Sequence, residues 1–356
     1  MNTKLTFAIG LMSGTSLDGL DIVYVTYDEN DLSRFEILSS ETINYSSYWK
    51  QRLQNAIDFD EDVISTLNQE YGVFLGEQTK KFITRNKIIA IDFIASHGHT
   101  IFHQPANGIT LQIGDGQEIS TITNCKVVCD FRSQDVKLGG QGAPLVPIGD
   151  QLLFTEYEAC INLGGFANIS FEKENRRIAY DICPVNIVLN HYSKKLGLEF
   201  DDKGMLASKG QINNELLSVL NQLEFYKMIP PKSLGLEWVQ QFVFPLLENH
   251  QLESSTIIRT FTEHVAQQIS IVIEPFENVL FTGGGVYNDF LINRIQEIVN
   301  TKIVLPSDEI INYKEALIFA LLGLLKLQGK VNCLSSVTGA KKNHSSGVIF
   351  NPNNSD

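Results

Sequence analysis

The sequence is poor in basic residues, and this shortage excludes one class of partner. The chain has 356 residues, with 28 Lys and Arg against 41 Asp and Glu, so its formal net charge is −13. A chain this acidic lacks the positive surface that binding to a phosphate backbone requires, so we expect no nucleic-acid partner. A small phosphorylated ligand remains compatible, because glycine-rich backbone N–H groups hold phosphate without net positive charge.

Cysteine and long apolar runs are also scarce. The five cysteines are odd in number and contain no Cys-x-x-Cys pair, so free thiols in a reducing compartment are expected rather than a disulfide framework. The most apolar stretch, residues 316–327, is about 12 residues long, well short of the roughly 20 that span a bilayer. The opening segment is too short in apolar length for a signal peptide. These shortages predict a soluble cytoplasmic protein with no membrane partner.

What the chain does contain is one succession of elements that occurs twice. The first half predicts strands at 5–9, 20–27 and 34–45, a helix over 48–86, and a strand at 92–96 that ends in a loop over 96–100. The second half predicts strands at 159–163, 166–172 and 177–180, then a helix beginning at Pro184 or Asn186. Hairpin, third strand and helix in duplicate predict two α/β lobes, each a mixed β-sheet flanked by helices, facing across a cleft.

The Gly- and Pro-rich segment 139–147 is the best boundary between the two lobes. We therefore expect an N-terminal lobe of residues 1–140 together with about 341–356, and a C-terminal lobe of residues 141–340. In such an arrangement, segment 139–147 serves as a hinge.

Three glycine-rich turns at strand ends are the strongest local signals. They contain Gly14, Thr15, Ser16, Leu17, Asp18, Gly19, Leu20 and Asp21 in the first, Gly164 and Gly165 in the second, and Gly283, Gly284 and Gly285 in the third. Glycine permits close backbone approach to a ligand, and turn hydroxyls add donors to phosphate oxygens. Each turn by itself is also compatible with a tight structural turn. Taken together, they predict a bound nucleotide.

The amino-acid sequences of these segments resemble those of one protein family. Residues 10–21 read Gly-Leu-Met-Ser-Gly-Thr-Ser-Leu-Asp-Gly-Leu-Asp. Further matching segments follow in family order at 96–98, 112–115, 130–133, 139–147, 162–165, 231–233, 283–285, 315–316 and 336–340. Over almost the whole chain the sequence resembles the anhydro-N-acetylmuramic acid kinases, which belong to the actin, hexokinase and heat-shock ATPase superfamily.

The resemblance implies a reaction, cofactors and an assembly. An enzyme of this family uses ATP and Mg²⁺ to open the 1,6-anhydro ring of anhydro-N-acetylmuramic acid with water. The products are N-acetylmuramic acid 6-phosphate and ADP, in peptidoglycan recycling. The resemblance also implies a homodimer whose only other partner is its small-molecule sugar substrate.

The family motifs imply roles for four acidic residues. Asp181 matches the catalytic aspartate, and we expect it to act as the general base that accepts a proton from the attacking water. Glu315 matches an acidic position near the sugar and would help to hold that water. Asp18 and Asp21 are the candidates for Mg²⁺, directly or through water. A helix N-cap is the alternative for Asp181, and an ordinary first-turn helix acid is the alternative for Glu315.

Substrate binding is expected from His97, Arg132 and Asn186. The planar guanidinium of Arg132 suits the lactyl carboxylate of muramic acid, and a structural ion pair is its alternative. His97 would orient the sugar by hydrogen bonding, or would serve only the fold. A metal site at His97, His99 and His103 is disfavoured, because the expected loop lacks the helical spacing of zinc-binding histidines.

One departure from the family is found beside the proposed base. The family has Asp-Thr-Gly-Pro-Gly-Asn, whereas residues 181–186 read Asp-Ile-Cys-Pro-Val-Asn. The change raises two alternatives, a related sugar kinase of shifted specificity and a catalytically silent nucleotide- or muropeptide-binding sensor. Retention of Asp181 argues against the silent sensor. Cys183 is expected to be a packing residue, since no activating histidine is near it in sequence.

Overall fold

The structure, a computed structural model, describes residues 4–14 and 17–352. The chain divides into two compact units, Met1–Thr155 with Tyr313–Asp356 and Glu156–Asn312. These joins differ from those expected near residues 140 and 340. Residues after 140 stay with the first unit, where Phe154 packs edge-on against Phe35. The chain returns to that unit at 313, and Lys314 Nζ lies 2.7 Å from the Asp150 carboxylate.

The first unit begins with three strands and two helices that match the predicted order. Its elements up to the first join are β1 (Leu5–Ser13), β2 (Gly19–Asp28), β3 (Asp31–Asn44), α1 (Ser47–Asn55), α2 (Glu61–Arg85), β4 (Phe93–Gln104), β5 (Ile109–Ile113), α3 (Gly116–Thr123), β6 (Val127–Cys129), α4 (Ser133–Lys137) and α5 (Pro147–Leu153). Short 3₁₀ turns cover Ala56–Asp58 and Pro105–Asn107.

The second unit repeats the opening of the first. It contains β7 (Ala159–Leu163), β8 (Phe166–Lys173), β9 (Arg176–Pro184), α6 (Asn186–Lys195), α7 (Met205–Lys209), α8 (Asn214–Asn221), α9 (Glu224–Lys227), α10 (Leu236–Trp238), α11 (Phe244–Asn249), α12 (Ser254–Ile273), β10 (Asn278–Thr282), α13 (Asp289–Ile298) and β11 (Lys302–Val304). A π-helical turn, Val239–Val243, joins α10 to α11, and 3₁₀ turns cover Asp202–Gly204 and Gly284–Tyr287. The chain then continues into α14 (Asp308–Leu327), α15 (Ser335–Thr338) and β12 (Val348–Phe350).

The two sheets share one strand order. In the first sheet the order is β12-β6-β4-β1-β2-β3 with β5 added to β4, and in the second it is β11-β10-β7-β8-β9. In each, the first three strands are antiparallel, and the first strand pairs in parallel with a later one, β1 with β4 and β7 with β10. The predicted fold class, two α/β units with mixed sheets flanked by helices, is therefore confirmed.

Each unit buries its own hydrophobic core. In the first, strand residues such as Ile9 and Ile22 pack with Leu67 and Leu75 of α2. In the second, alternate residues of β7, β8 and β9 pack against α6 and α12. Among the described residues, no helix combines the length and the hydrophobicity needed to cross a membrane.

Helix α14 packs closely against the first sheet. A Cβ on Gly10 of β1 would overlap the carbonyl oxygen of Ala316, and a Cβ on Gly323 would lie 2.7 Å from the Phe93 ring. Glycine at both positions therefore allows the helix to approach the strands. This close approach brings Glu315 to the side of the first unit that carries the β1–β2 turn.

Three local predictions were wrong. The segment 96–100 is not a loop, because β4 continues through it to Gln104. Asp181 lies within β9 rather than after it, and Pro184 is the last residue of that strand rather than the first of a helix. Segment 139–147 lies inside the first unit and not at a join between units.

Candidate functional site

The first glycine-rich turn joins β1 to β2. Leu17 adopts a left-handed backbone with φ of 58°, and its N–H approaches the Gly14 carbonyl at 3.4 Å. Gly19 is required by packing, since a Cβ there would lie 2.6 Å from the Ile43 carbonyl oxygen. The predicted ligands Thr15 and Ser16 lie outside the described residues.

Three carboxylates of the first unit share one electrostatic environment. Burial raises the pKa of Asp21 to about 6, the Thr42 hydroxyl opposes this shift, and the charges of Glu315 and Asp18 add to it. The Thr42 hydroxyl donates to Asp21 Oδ1 at 2.7 Å. Desolvation also raises the pKa of Glu315, although Arg132 and Lys314 favour its ionised form. Glu315 is the eighth residue of α14, so it is not a first-turn helix acid.

Arg132 is held by two hydrogen bonds. Its Nε donates to His97 Nε2 at 3.0 Å, and its Nη1 donates to the Gly142 carbonyl at 2.7 Å. His97 Nδ1 lies 2.9 Å from the Gly98 carbonyl, so that nitrogen carries the proton and Nε2 accepts. Desolvation and the neighbouring Arg132 hold the pKa of His97 well below its usual range. His97 is 5% exposed, and its hydrogen bond is to Arg132, which it positions.

Sequence reasoning missed a buried chain of hydroxyl groups that ends at His99. The Tyr45 hydroxyl donates to Ser13 Oγ at 2.7 Å and lies 2.6 Å from the Tyr71 hydroxyl, while Ser13 Oγ lies 2.9 Å from His99 Nδ1. Burial lowers the pKa of His99 to about 4, so its ring is neutral at physiological pH. In the sequence, His99 stood out only as a member of the disfavoured metal site with His97 and His103.

Two hydrogen bonds to the backbone of the segment 232–234 hold Asp181 in place within the second unit. Its N–H donates to the Lys232 carbonyl at 3.1 Å, and its Oδ2 accepts from the Leu234 N–H at 2.8 Å. Among the residues that the structure describes, Oδ1 makes no hydrogen bond. Burial raises the pKa of Asp181, and the Leu234 N–H opposes this shift. The N-cap of α6 is Val185, so the helix-cap alternative for Asp181 is excluded.

The second glycine-rich turn accepts hydrogen bonds from the residues at the start of α6. The N–H groups of Val185 and Ile187 donate to the Gly165 carbonyl at 2.8 and 3.3 Å, and that of Asn186 donates to the Gly164 carbonyl at 3.3 Å. A Cβ on either glycine would find nothing closer than 3.3 Å. The turn therefore keeps open space on one side while it holds Asn186 in place.

The third turn contains one open glycine between two packed ones. A Cβ on Gly283 would lie 2.6 Å from Asn162 Oδ1, and one on Gly285 would lie 2.8 Å from Leu163 Cβ. A Cβ on Gly284 would meet no atom within 4 Å. The outer glycines thus pack against β7, and only Gly284 offers its backbone to a ligand.

A cavity of about 590 Å³ lies beside this turn within the second unit. Its lining includes Asn186 of α6, Gly284, Tyr287, and the segment 200–203. Phe200 is 56% exposed and Tyr287 is 42% exposed, so aromatic surface is available to a planar ligand. Asn186 and Gly284 were predicted as binding residues from the sequence, whereas no sequence motif indicated the two aromatic residues.

The structure thus assembles the predicted residues in two groups, one in each unit. Asp18, Asp21, Arg132 and Glu315 interact electrostatically in the first unit. Asn186, Gly284 and Gly285 line one cavity in the second. The catalytic, nucleotide and sugar roles of these residues remain predictions.

Comparisons with known proteins agree on one family. The family model described as anhydro-N-acetylmuramic acid kinase matches residues 6–352. The chain is 33% identical to the anhydro-N-acetylmuramic acid kinase of Vibrio cholerae serotype O1, over 97% of this chain and 98% of that protein. It is also 33% identical to the protein of that name from Clostridioides difficile strain 630, over 94% and 96%.

Among solved structures, the match to an activator of 2-hydroxyisocaproyl-CoA dehydratase from Clostridium difficile with bound ADPNP covers 91% of this chain and 97% of that one. Its sequence identity is 14% and its TM-score is 0.44. The family match and the two relatives extend over nearly the whole chain. The chain therefore belongs to the anhydro-N-acetylmuramic acid kinase family.

Proposed function

We propose that this chain uses ATP to phosphorylate anhydro-N-acetylmuramic acid while water opens the 1,6-anhydro ring. Water forms a bond to C1, the bond between C1 and O6 breaks, and O6 takes the γ-phosphoryl group. One water proton goes to a base, and the products are N-acetylmuramic acid 6-phosphate and ADP. The observation that supports this proposal best is Asp181, a half-buried carboxylate with one oxygen held by the Leu234 N–H and the other without a hydrogen bond among the described residues.

Asp181 is suited to the role of base by its two unlike oxygens. The Leu234 N–H holds Oδ2, so the carboxylate has a fixed orientation, while Oδ1 can accept the proton. Burial raises the pKa of Asp181, which makes it a stronger base than an exposed aspartate. An N–H donor on the opposite oxygen keeps the group ionised before the reaction.

Arg132 retains the donors needed for a carboxylate ligand. Its bonds to His97 and Gly142 use the Nε–H and one Nη1 hydrogen, which leaves one Nη1 hydrogen and both Nη2 hydrogens. Desolvation lowers the pKa of Arg132 to about 10, so it stays charged at neutral pH. The free edge can bind the lactyl carboxylate bidentately.

A cavity in the second unit suits the nucleoside of ATP, and a pair of carboxylates in the first unit suits Mg²⁺. The 590 Å³ cavity with Gly284 on its wall suits the nucleoside, because ligand cavities of this size are typical. Asp18 and Asp21 offer the oxygen ligands that Mg²⁺ prefers. Burial, and to a smaller extent the charges of Glu315 and Asp18, raise the pKa of Asp21, and a nearby dication would favour its ionised form. When bound, Mg²⁺ offsets charge on the phosphates.

The family departure at 182–185 lies in the core. Ile182 is 2% exposed, Cys183 and Val185 are fully buried, and all three belong to the hydrophobic core of the second unit. Side chains in such positions cannot touch a sugar. The alternative of a kinase with shifted specificity therefore loses the support that these residues appeared to supply.

A coupled assay of ADP release tests the proposal. Anhydro-N-acetylmuramic acid should support turnover, and glucose, N-acetylglucosamine and N-acetylmannosamine should not. Asp181→Asn should retain the fold and ATP binding but lose about 10²–10⁴-fold in kcat, because an amide cannot accept the proton. As a matched control, Glu215→Gln changes an exposed carboxylate of the same unit outside the cavity and should leave kcat within about threefold.

Three results would contradict this proposal. Equal turnover with a plain hexose would favour the shifted-specificity alternative. ATP binding without turnover on any sugar would favour the silent sensor. Activity of Asp181→Asn within about threefold of the parent would remove Asp181 from the role of base.

A further inference from the structure

Three segments of the first unit converge on a buried point that the proposed reaction does not use. They are helix α4, the segment 139–142, and the isolated antiparallel bridge between Cys333 and His344. Asp135 of α4 is fully buried, Cys333 is 1% exposed and His344 is 6% exposed. Their ligand atoms, Oδ, Sγ and Nε2, all lie within 4.8 Å of one another. Among the residues that the structure describes, this is the one cluster of its kind.

Backbone pairing explains why Cys333 and His344 come together. Each donates its N–H to the carbonyl of the other, at 3.1 and 3.2 Å. Directly opposed residues of an antiparallel pair present their side chains on the same face. Buried Asn332 fixes the pair further, because its side chain donates to the Ser346 carbonyl at 2.9 Å and accepts from the Ser346 N–H at 2.7 Å.

The ring of His344 has a defined tautomer that leaves a lone pair unused. Nδ1 lies 3.1 Å from the Lys342 carbonyl, which can only accept, so Nδ1 carries the proton. Nε2 then carries the lone pair and is buried, and it has no hydrogen-bond partner in the part of the chain that the structure describes. Asp135 Oδ1 lies 3.6 Å from this nitrogen. Two acceptors that face each other in a buried site repel, unless a cation lies between them.

The Cys333 sulfur and the Asp135 carboxylate supply the other two candidate ligand atoms. Cys333 Sγ lies 3.1 Å from the same Asp135 oxygen, and the Thr338 hydroxyl donates to it at 2.8 Å. The second Asp135 oxygen accepts from the Gly142 N–H at 2.7 Å, which orients the carboxylate. Metal-bound histidines characteristically donate the other ring N–H to a backbone carbonyl, and ligating carboxylates are themselves hydrogen-bonded. His344 and Asp135 have both features.

We propose that Asp135, Cys333 and His344 form a buried Zn²⁺ site with three protein ligands. Thiolate, imidazole and carboxylate are the ligands that zinc takes in proteins, and tetrahedral bonds of ordinary length separate N from O by about 3.4 Å and S from O by about 3.6 Å. The observed N–O distance of 3.6 Å and S–O distance of 3.1 Å differ from these values by about 0.2 and about 0.5 Å, and the N and S atoms lie within 4.8 Å of each other. Binding converts the Cys333 S–H to a thiolate and releases one proton, and a water molecule fills the fourth position.

The site would connect the segments that hold Arg132. Asp135 is three residues after Arg132, and its carboxylate holds Gly142, whose carbonyl accepts from Arg132. The Gln141 N–H also donates to the Thr338 carbonyl, at 2.8 Å. Zinc at Asp135 would therefore stabilise the loop that positions Arg132, and it would stabilise the fold of the first unit without taking part in phosphoryl transfer.

Metal content and a cobalt spectrum of the full chain test the proposal. Protein expressed with added zinc and passed through a weak chelator should keep about one zinc per chain by mass spectrometry. Protein refolded with Co²⁺ should show a thiolate-to-cobalt charge-transfer band and intense tetrahedral d–d bands. The zinc form should melt at least about 5 °C above the chelator-treated, metal-free form.

Two cysteine variants make the test specific. Cys333→Ser should lose the charge-transfer band and the zinc-dependent shift in Tm. Cys125→Ser, which replaces a half-buried thiol of the same unit outside the cluster, should keep both. If Cys333→Ser does not fold, His344→Gln serves in its place, and the wild-type measurements decide without any variant.

Several outcomes would overturn the proposal. Zinc below about 0.2 per chain after zinc supplementation, together with no charge-transfer band on refolding with Co²⁺, would rule out the site. A band that persists in Cys333→Ser would place cobalt on another thiol. A Tm that is indifferent to zinc would instead indicate that Asp135, Cys333 and His344 pack together without a metal.

Discussion

The three consecutive glycines at 283–285 provide the sharpest test of the nucleotide site, because the structure predicts opposite results at adjacent positions. A Cβ at Gly284 would meet nothing within 4 Å, while a Cβ at Gly285 would lie 2.8 Å from Leu163 Cβ and 2.9 Å from the Leu163 carbonyl oxygen. Neither glycine has a left-handed backbone. The two positions therefore differ in space and not in backbone conformation.

The magnitudes follow from those contacts. Gly285→Ala forces its neighbours apart, at a cost of about 1–3 kcal/mol, which lowers Tm by roughly 2–12 °C for a unit of this size. Gly284→Ala should change the free energy of unfolding by no more than about 1 kcal/mol. Gly284→Val extends into the space beside the 590 Å³ cavity and should raise the KM for ATP about tenfold or more, equivalent to about 1.4 kcal/mol.

Differential scanning fluorimetry and ATP titration calorimetry on the three variants provide the assay. The expected pattern is a stable Gly284→Val that binds ATP weakly and a destabilised Gly285→Ala. If Gly284→Val binds ATP within about twofold of the parent, the nucleotide does not contact this turn. If Gly285→Ala melts with the parent, the packing argument is wrong.

Three further predictions concern the first unit. Asp21→Asn should raise Tm at pH 7.5 while lowering activity, because the fold raises the pKa of Asp21 to about 6 and an ionised Asp21 therefore destabilises the folded state. The folded wild type binds this proton more tightly than the unfolded chain, so the difference in Tm between variant and wild type should shrink as pH falls from about 6 to 4. Melting curves across that range check this expectation. Arg132→Lys should raise the KM for the anhydro-sugar by about tenfold or more with little change in the KM for ATP, since an ammonium cannot bind a carboxylate bidentately; equal changes in both would contradict this. The free energy of unfolding of His99→Gln should lie within about 1 kcal/mol of the parent's, because the amide oxygen can accept from the Ser13 hydroxyl. His99→Leu should lower the free energy of unfolding by about 1–3 kcal/mol, because it leaves that hydroxyl without an acceptor. Equal stability of the two variants would show that the hydroxyl chain is not stabilising.

The duplicated order of elements was predictable because it depends on local patterns. The β-branched and aromatic residues of 20–27 marked β2, the alternation over 34–45 marked β3, and the helical pattern over 48–86 marked α1 and α2. Strand ends were predicted less well. The polar, histidine-rich segment 96–100 was expected to form a loop, yet it continues β4 because it pairs with β1 and β5 on either side. Such pairing involves residues remote in sequence, and local propensity does not reveal it.

Part of the candidate site was likewise visible in the sequence. The glycine-rich turns, Asp181 and Arg132 were identified from motifs that lie in family order. Their geometry was not. Which of Gly283, Gly284 and Gly285 faces open space depends on where β7 lies, and the hydrogen bond between Arg132 and His97 joins residues 35 positions apart.

The amino-acid sequence determined the order of the elements and the residue types at the turns, because hydrophobic period and turn chemistry act over a few residues. Only the tertiary structure decided which side chains are buried and which meet. It placed Ile182, Cys183 and Val185 in a core rather than at a ligand. It also brought Asp135 to Cys333, 198 residues away. Burial and the meeting of distant groups result from the packing of whole elements, and a single sequence does not contain the distances that packing creates.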